Sequence, residues 1–278
     1  MILRALPLAL AAIFISAPYA AGQGVLVAPT AVFIDARART ATLMLVNPNA
    51  EPAEVEIGTL FGYPVTDSAG QLTLRIVEAP DSTEPSAAAW IKAFPRRMTL
   101  APNAQQTVRL LVSPPPGTPD GEYWGRLAIT ARGGKLALTQ PSDTGAVSVG
   151  LSVEVRTIIP VLYRKGRLET GIGLSALRAE RRGDSLVIRA HLERLGTAAA
   201  FGTARGELVD STGQVRSTFT APLSAYVPMD PRFSAPVDSV SPGRYMLRVE
   251  VTSGRLDLPP EAVLPFAAVR DSLPVHLP

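Results

Sequence analysis

The segment from Val147 to Val155 alternates without a break. Val147, Val149, Leu151, Val153 and Val155 are aliphatic, while Ser148, Gly150, Ser152 and Glu154 between them are small or polar. A period of two puts each set on its own face of an extended strand, with knobs about 6.6 Å apart, and a helix would mix the two sets. The same period runs through Thr40 to Val46, Ala53 to Ile57, Thr107 to Val112 and Tyr123 to Ile129. It returns in Ser185 to Leu192, Arg205 to Val209, Thr218 to Ala221, Ala225 to Val227 and Tyr245 to Val251. Turn-forming clusters punctuate these runs: Asn47-Pro48-Asn49, Ala101-Pro102-Asn103, Thr118 to Gly121, Asp210 to Gly213 and Ser241-Pro242-Gly243. No segment keeps helical periodicity over three turns. The expected fold is all-β, with about seven strands in each half forming two sandwiches in tandem.

Several boundaries follow. Both faces of Thr40 to Val46 carry apolar residues, which suits a central strand. Residues 131–146 read as a long polar loop, and a last strand is expected near Ala262 to Ala267. Trp124 belongs in or near the first core. The first domain is expected over residues 23–162 and the second over 163–278, with the hinge at Tyr163 to Gly166.

Residues 1–22 read as a secretory signal peptide: Arg4, a short apolar run from Leu6 to Ile15, and small residues with cleavage points between Ala20 and Gln23. A membrane span needs about 18 or more apolar residues, which this run lacks. Hence the expectation is an exported protein without a transmembrane anchor. Zero cysteines leave both cores to packing alone. The net charge of +3, from 27 Lys and Arg against 24 Asp and Glu, gives no case for a nucleic-acid partner.

The side chains present give no catalytic constellation, so an enzyme is not expected. No thiol exists to act as nucleophile or metal ligand, and no nucleophile elbow, paired zinc-binding histidines or phosphate-cradling loop occurs. Of the two histidines, His276 lies by the C-terminus and His191 reads as a strand residue. Asp67, Glu78, Asp81 and Glu84 read as a solvated surface. That leaves the alternating strand itself. It is either an ordinary core strand or an edge offered to a partner that lacks a strand.

Several stretches, in order, resemble the PapD-like periplasmic pilus chaperones. Val27-Ala28-Pro29-Thr30-Ala31-Val32-Phe33 resembles that family's first strand, and Thr42 to Asn47 its second. Leu100 to Leu110, Asp120-Gly121-Glu122-Tyr123-Trp124 and the run ending Ile159-Pro160-Val161-Leu162-Tyr163-Arg164 resemble later ones. The resemblance covers residues 25–165. It implies two immunoglobulin-like sandwiches in a bent pair, located in the periplasm, with no cofactor. The implied partners are a pilin-like subunit and an outer-membrane usher, with self-association through the edge strand as a further outcome. Val147, Val149, Leu151, Val153 and Val155 become the strand donated to the subunit, and Glu122 with Arg164 an interdomain ion pair. That pair is expected to be exposed and worth about 0–1 kcal/mol. The family's two carboxylate-anchoring cations are replaced here by Ala31 and Pro160, so Arg97, Arg96 or Arg156 is expected to serve instead. A structural or adhesive envelope module that donates nothing is the alternative.

Overall fold

The computed structural model describes residues 24–139 and 148–278; the expected signal peptide and Val147 lie outside them. The first half contributes β1 (Leu26–Ala28), β2 (Val32–Asp35), β3 (Thr40–Val46), β4 (Ala53–Thr66), β5 (Leu72–Val77), β6 (Ile91–Phe94), β7 (Arg97–Leu100), β8 (Gln105–Val112), β9 (Gly121–Thr139) and β10 (Ser148–Lys165). One sheet runs β1-β3-β8-β6. The other runs β2-β10-β9-β4-β5, with β7 also paired to β4. The second half contributes β11 (Thr170–Arg182), β12 (Ser185–Gly196), β13 (Ala200–Val209), β14 (Val215–Ala225), β15 (Arg232–Pro236), β16 (Gly243–Ser253) and β17 (Val269–Leu277), in sheets β11-β12-β15 and β14-β13-β16-β17. The chain is all-β, two immunoglobulin-like sandwiches in tandem.

Alternation explains the layers. In β3, Leu43 and Leu45 are buried while Met44 faces solvent, so the strand is central in its sheet yet covered on one face only. In β10, Ile159, Val161 and Tyr163 enter the first core, and Leu162 on the opposite face is equally buried. Cover on both faces is what makes this stretch a nearly continuous apolar run. The second sandwich has its own core, built around residues such as Leu186, Ile188, Leu247 and Val249.

A third apolar cluster joins the halves. Phe61, Tyr63, Trp124 and Leu162 of the first sandwich meet Phe201, Tyr226, Leu258 and Val263 of the second. Trp124 and Tyr226 stand 4.8 Å apart edge to face, and Phe33 and Phe201 5.6 Å. Trp124 is thus buried at the junction between the cores.

Two sequence expectations need correction. Residues 131–139 are strand, not loop: β9 continues to Thr139 and pairs with β10 from Arg132 opposite Glu154 to Thr139 opposite Ser148. Gly133 marks close packing instead of a turn, since a side chain there would meet the Pro52 carbonyl at 2.8 Å. A register irregularity between Ser152 and Glu154 absorbs the misfit. The last strand is β17, not residues 262–267, where a short 3-10 turn (Pro260–Ala262) sends Val263 into the junction. Pro274 fits within β17 because that strand lies at a sheet edge.

Candidate functional site

Three groups of residues matter, and β10 runs through all of them. Its hydrogen-bonding edge on the side away from β9 is covered by β2 only from Val161 to Arg164, in parallel register. From Ser148 to Pro160 that edge has no strand partner among the described residues. Burial follows the same division. Ile159, Val161 and Tyr163 are in the core, whereas Val153 and Val155 are only half-buried. The side chains of Val149 and Leu151 lie outside the described set.

The unpaired edge leads to a cleft of about 440 Å³ between the sandwiches. Ala31 and Pro160 line it. So do two cations that sequence reasoning missed, Arg126 and Arg255. Arg126 on β9 donates Nε–H to the Gly62 carbonyl at 3.0 Å, and its guanidinium sits 5.2 Å from the Tyr226 ring centre. Burial pushes the Tyr226 phenol up to about 12, so it stays a protonated donor. Arg255 is held by Asp257, with Nε–H donating to Oδ1 at 2.9 Å, and by the Ser224 hydroxyl. Nothing in the local sequence around Gly125-Arg126-Leu127 reports that a second domain covers that face.

The expected substitutes stand elsewhere. Arg97 on β7 donates to Glu56 at 2.8 Å, and Arg132 bridges Glu56 and Glu154 at 3.9 and 2.7 Å. The Arg97 hydrogen bond holds the Glu56 carboxyl below its usual range. Arg96 and Arg156 are exposed. None of the three lines the cleft that holds Ala31 and Pro160.

Glu122 and Arg164 face each other across β9 and β10. The Glu122 carboxylate is fully buried and accepts from Arg164 Nε at 2.8 Å, Trp124 Nε1 at 3.0 Å and the Ala199 N–H of the second sandwich at 2.9 Å. Arg164 also donates to the Ala262 carbonyl and lies 4.6 Å from the Phe33 ring centre. The expectation of an exposed pair is therefore corrected. Its energetics belong to the buried class, where removing one partner costs about 3–5 kcal/mol.

His191 lies on β12 as a strand residue. Its Nδ1 is 2.8 Å from Asp230 and its Nε2 3.4 Å from Glu193.

No family model matches the chain, and no curated protein sequence does. Similar solved structures exist at low identity. One is the CsuC–CsuE chaperone–tip adhesion subunit pre-assembly complex from archaic chaperone-usher Csu pili of Acinetobacter baumannii. It is 12% identical with a TM-score of 0.48, over 89% of this chain and 97% of that one. The YadV chaperone is 12% identical with a TM-score of 0.45, over 90% and 99%. The Salmonella enterica SafA pilin in complex with the SafB chaperone is 13% identical with a TM-score of 0.42, over 90% and 96%.

Proposed function

We propose that this protein is an exported chaperone that stabilises an incomplete β subunit in the periplasm by lending it the free edge of β10. The observation that carries the reading is the edge from Ser148 to Pro160, unpaired among the described residues and ending at the interdomain cleft. A strand donated there completes a partner's sheet through backbone hydrogen bonds, and its alternate side chains fill the partner's groove. Each aliphatic side chain so buried contributes about 1.5–3 kcal/mol before ordering costs. No cofactor is needed, because a subunit leaves by exchanging this strand for a better one at an outer-membrane usher.

Arg126 and Arg255 are the better candidates for meeting the client's C-terminal carboxylate. They line the same cleft as Ala31 and Pro160, and the Tyr226 hydroxyl that also lines it is a neutral donor.

The test changes Leu151, Val153 and Val155 together to Thr, which keeps β-propensity while weakening burial. The expected result is a near-native melting temperature with loss of co-expressed secreted β subunits from periplasmic pull-downs. A melting temperature lowered by many degrees, with no subunit recovered by the wild type, would instead favour the structural or adhesive module.

A further inference from the structure

The β4–β5 hairpin does more than extend a sheet. Its tip leaves the first sandwich and rests on the second. Thr66 Oγ1 accepts the Asp230 N–H at 2.8 Å, the Gly70 carbonyl accepts the Arg232 N–H at 2.8 Å, and the Ser68 carbonyl accepts Arg189 Nη1 at 3.4 Å. The approach leaves no room for a side chain. A Cβ at Gly70 would lie 2.9 Å from Arg232 Cβ, 3.0 Å from the Asp230 carbonyl oxygen and 3.1 Å from Arg232 N. Gly70 also has φ +78°, a conformation that glycine adopts without strain.

Just behind its tip, the same hairpin forms part of the cleft lining. Pro64, Leu72 and Leu74 line the cleft together with Pro222, Tyr226 and Arg255. One hairpin therefore lines the cleft and is bolted at its tip to the opposite sandwich. The Glu122–Arg164 joint holds the interface at a separate place, through Ala199 and Ala262. Two separated fastenings fix an angle where one would leave a pivot.

We propose that the hairpin is a positioning strap: Gly70, seated on Arg232, sets the angle between the sandwiches and hence the width of the cleft. The strap stands on this geometry alone. Its consequence for a client rests on the strand-donation reading.

The chain has no cysteine, so two spin labels can be placed without background. Exposed Thr107 and Thr220 serve as Thr107→Cys and Thr220→Cys, one on each sandwich, in the full chain. Gly70→Ala should broaden and shift the label-to-label distance distribution, while Gly213→Ala leaves it unchanged. Gly213 has φ +85° and, among the described residues, no atom within 4 Å of the place a Cβ would take, so it carries the same backbone strain without the contact. Thr66→Val removes an acceptor at the seat with almost no change of shape, and it should broaden the distribution even if Gly70→Ala fails to fold. Wild-type distributions in Thr66→Val and in any folded Gly70→Ala protein would overturn the strap. A changed distance with undiminished recovery of β subunits would leave the strap standing and remove its claimed consequence for the client.

Discussion

Two turns in this protein are built alike and used differently. Asp67-Ser68-Ala69-Gly70-Gln71 closes the β4–β5 hairpin, and Asp210-Ser211-Thr212-Gly213-Gln214 closes the β13–β14 hairpin. In each, the first Asp N–H donates to the Gln carbonyl at 3.0 Å, and its carboxylate accepts the N–H groups two and four residues on. In each, the glycine has positive φ. Among the described residues nothing lies within 4 Å of a Cβ placed at Gly213, while Gly70 is pressed onto Arg232 and Asp230. Local chemistry makes the turn, and the surroundings decide whether it also becomes a contact.

The largest way to break that difference is to loosen the interface itself. Glu122→Ala removes a buried carboxylate that serves Arg164, Trp124 and Ala199 together, and should cost about 3–5 kcal/mol in denaturant unfolding. If the hairpin tip depends on that joint, Gly70→Ala should add less in the Glu122→Ala background than in the wild type. A double-mutant cycle measures the coupling. Strict additivity would mean that the two fastenings act independently.

A smaller effect isolates the contact. Left-handed backbone costs a residue with a Cβ about 1–2 kcal/mol, which Gly213→Ala and Gly70→Ala should share. Gly70→Ala should lose a further ~1–3 kcal/mol from overpacking against Arg232. Equal losses in chemical unfolding would show that the tip can retreat freely.

The same pair of turns shows how far the sequence could be read. The turn at Asp210 to Gly213 is legible, because clear alternation flanks it on both sides. Asp67 instead groups with Glu78, Asp81 and Glu84 as a solvated surface, since Leu72 to Val77 has Leu72 and Ile76 exposed and gives no clean burial signal. The all-β class and the placement of most strands follow from periodicity, which local chemistry sets. The cations of the cleft do not. Period two places Arg126 on the face opposite Leu127, but only the packing of the second sandwich turns that face into an interior. Arg97, beside Phe94-Pro95, reads as equally available and is held by Glu56 across the β4–β7 pair.

Acid should weaken the free turn through Asp210. The Asp210 carboxyl is held well below its ordinary 3.8, chiefly by the Thr212 hydroxyl, then by the Gln214 N–H and by Arg216. A depressed folded pKa contributes stability that is present above the unfolded value and lost as pH falls through the folded one. Asp210→Asn should therefore flatten part of the acid limb of a stability–pH curve below about pH 4. An unchanged acid limb would show that this exposed turn carries no linked stability.

The smallest effect lies at the other end of the pH scale, at the seat of the docked turn. Asp230 offers its N–H to Thr66, and its carboxylate holds His191 Nδ1 at 2.8 Å. That hydrogen bond, with a lesser one from Glu193, raises the His191 pKa above 6.5 against the opposing effect of burial. A raised folded pKa gives stability that is fully present below the unfolded value near 6.5. It is lost as pH climbs through the folded value. The imidazole is 36% exposed, so salt screens the interaction and the effect is small. An NMR titration should place His191 above 6.5, and His191→Gln should remove a shallow loss of melting temperature as pH climbs from about 6.5 through that pKa. Added salt should shrink the same loss. A His191 that titrates at or below 6.5 would mean that Asp230 is held by its backbone contacts alone. The docked turn would then rest on a seat whose strength does not vary with pH, just as the free turn rests on none.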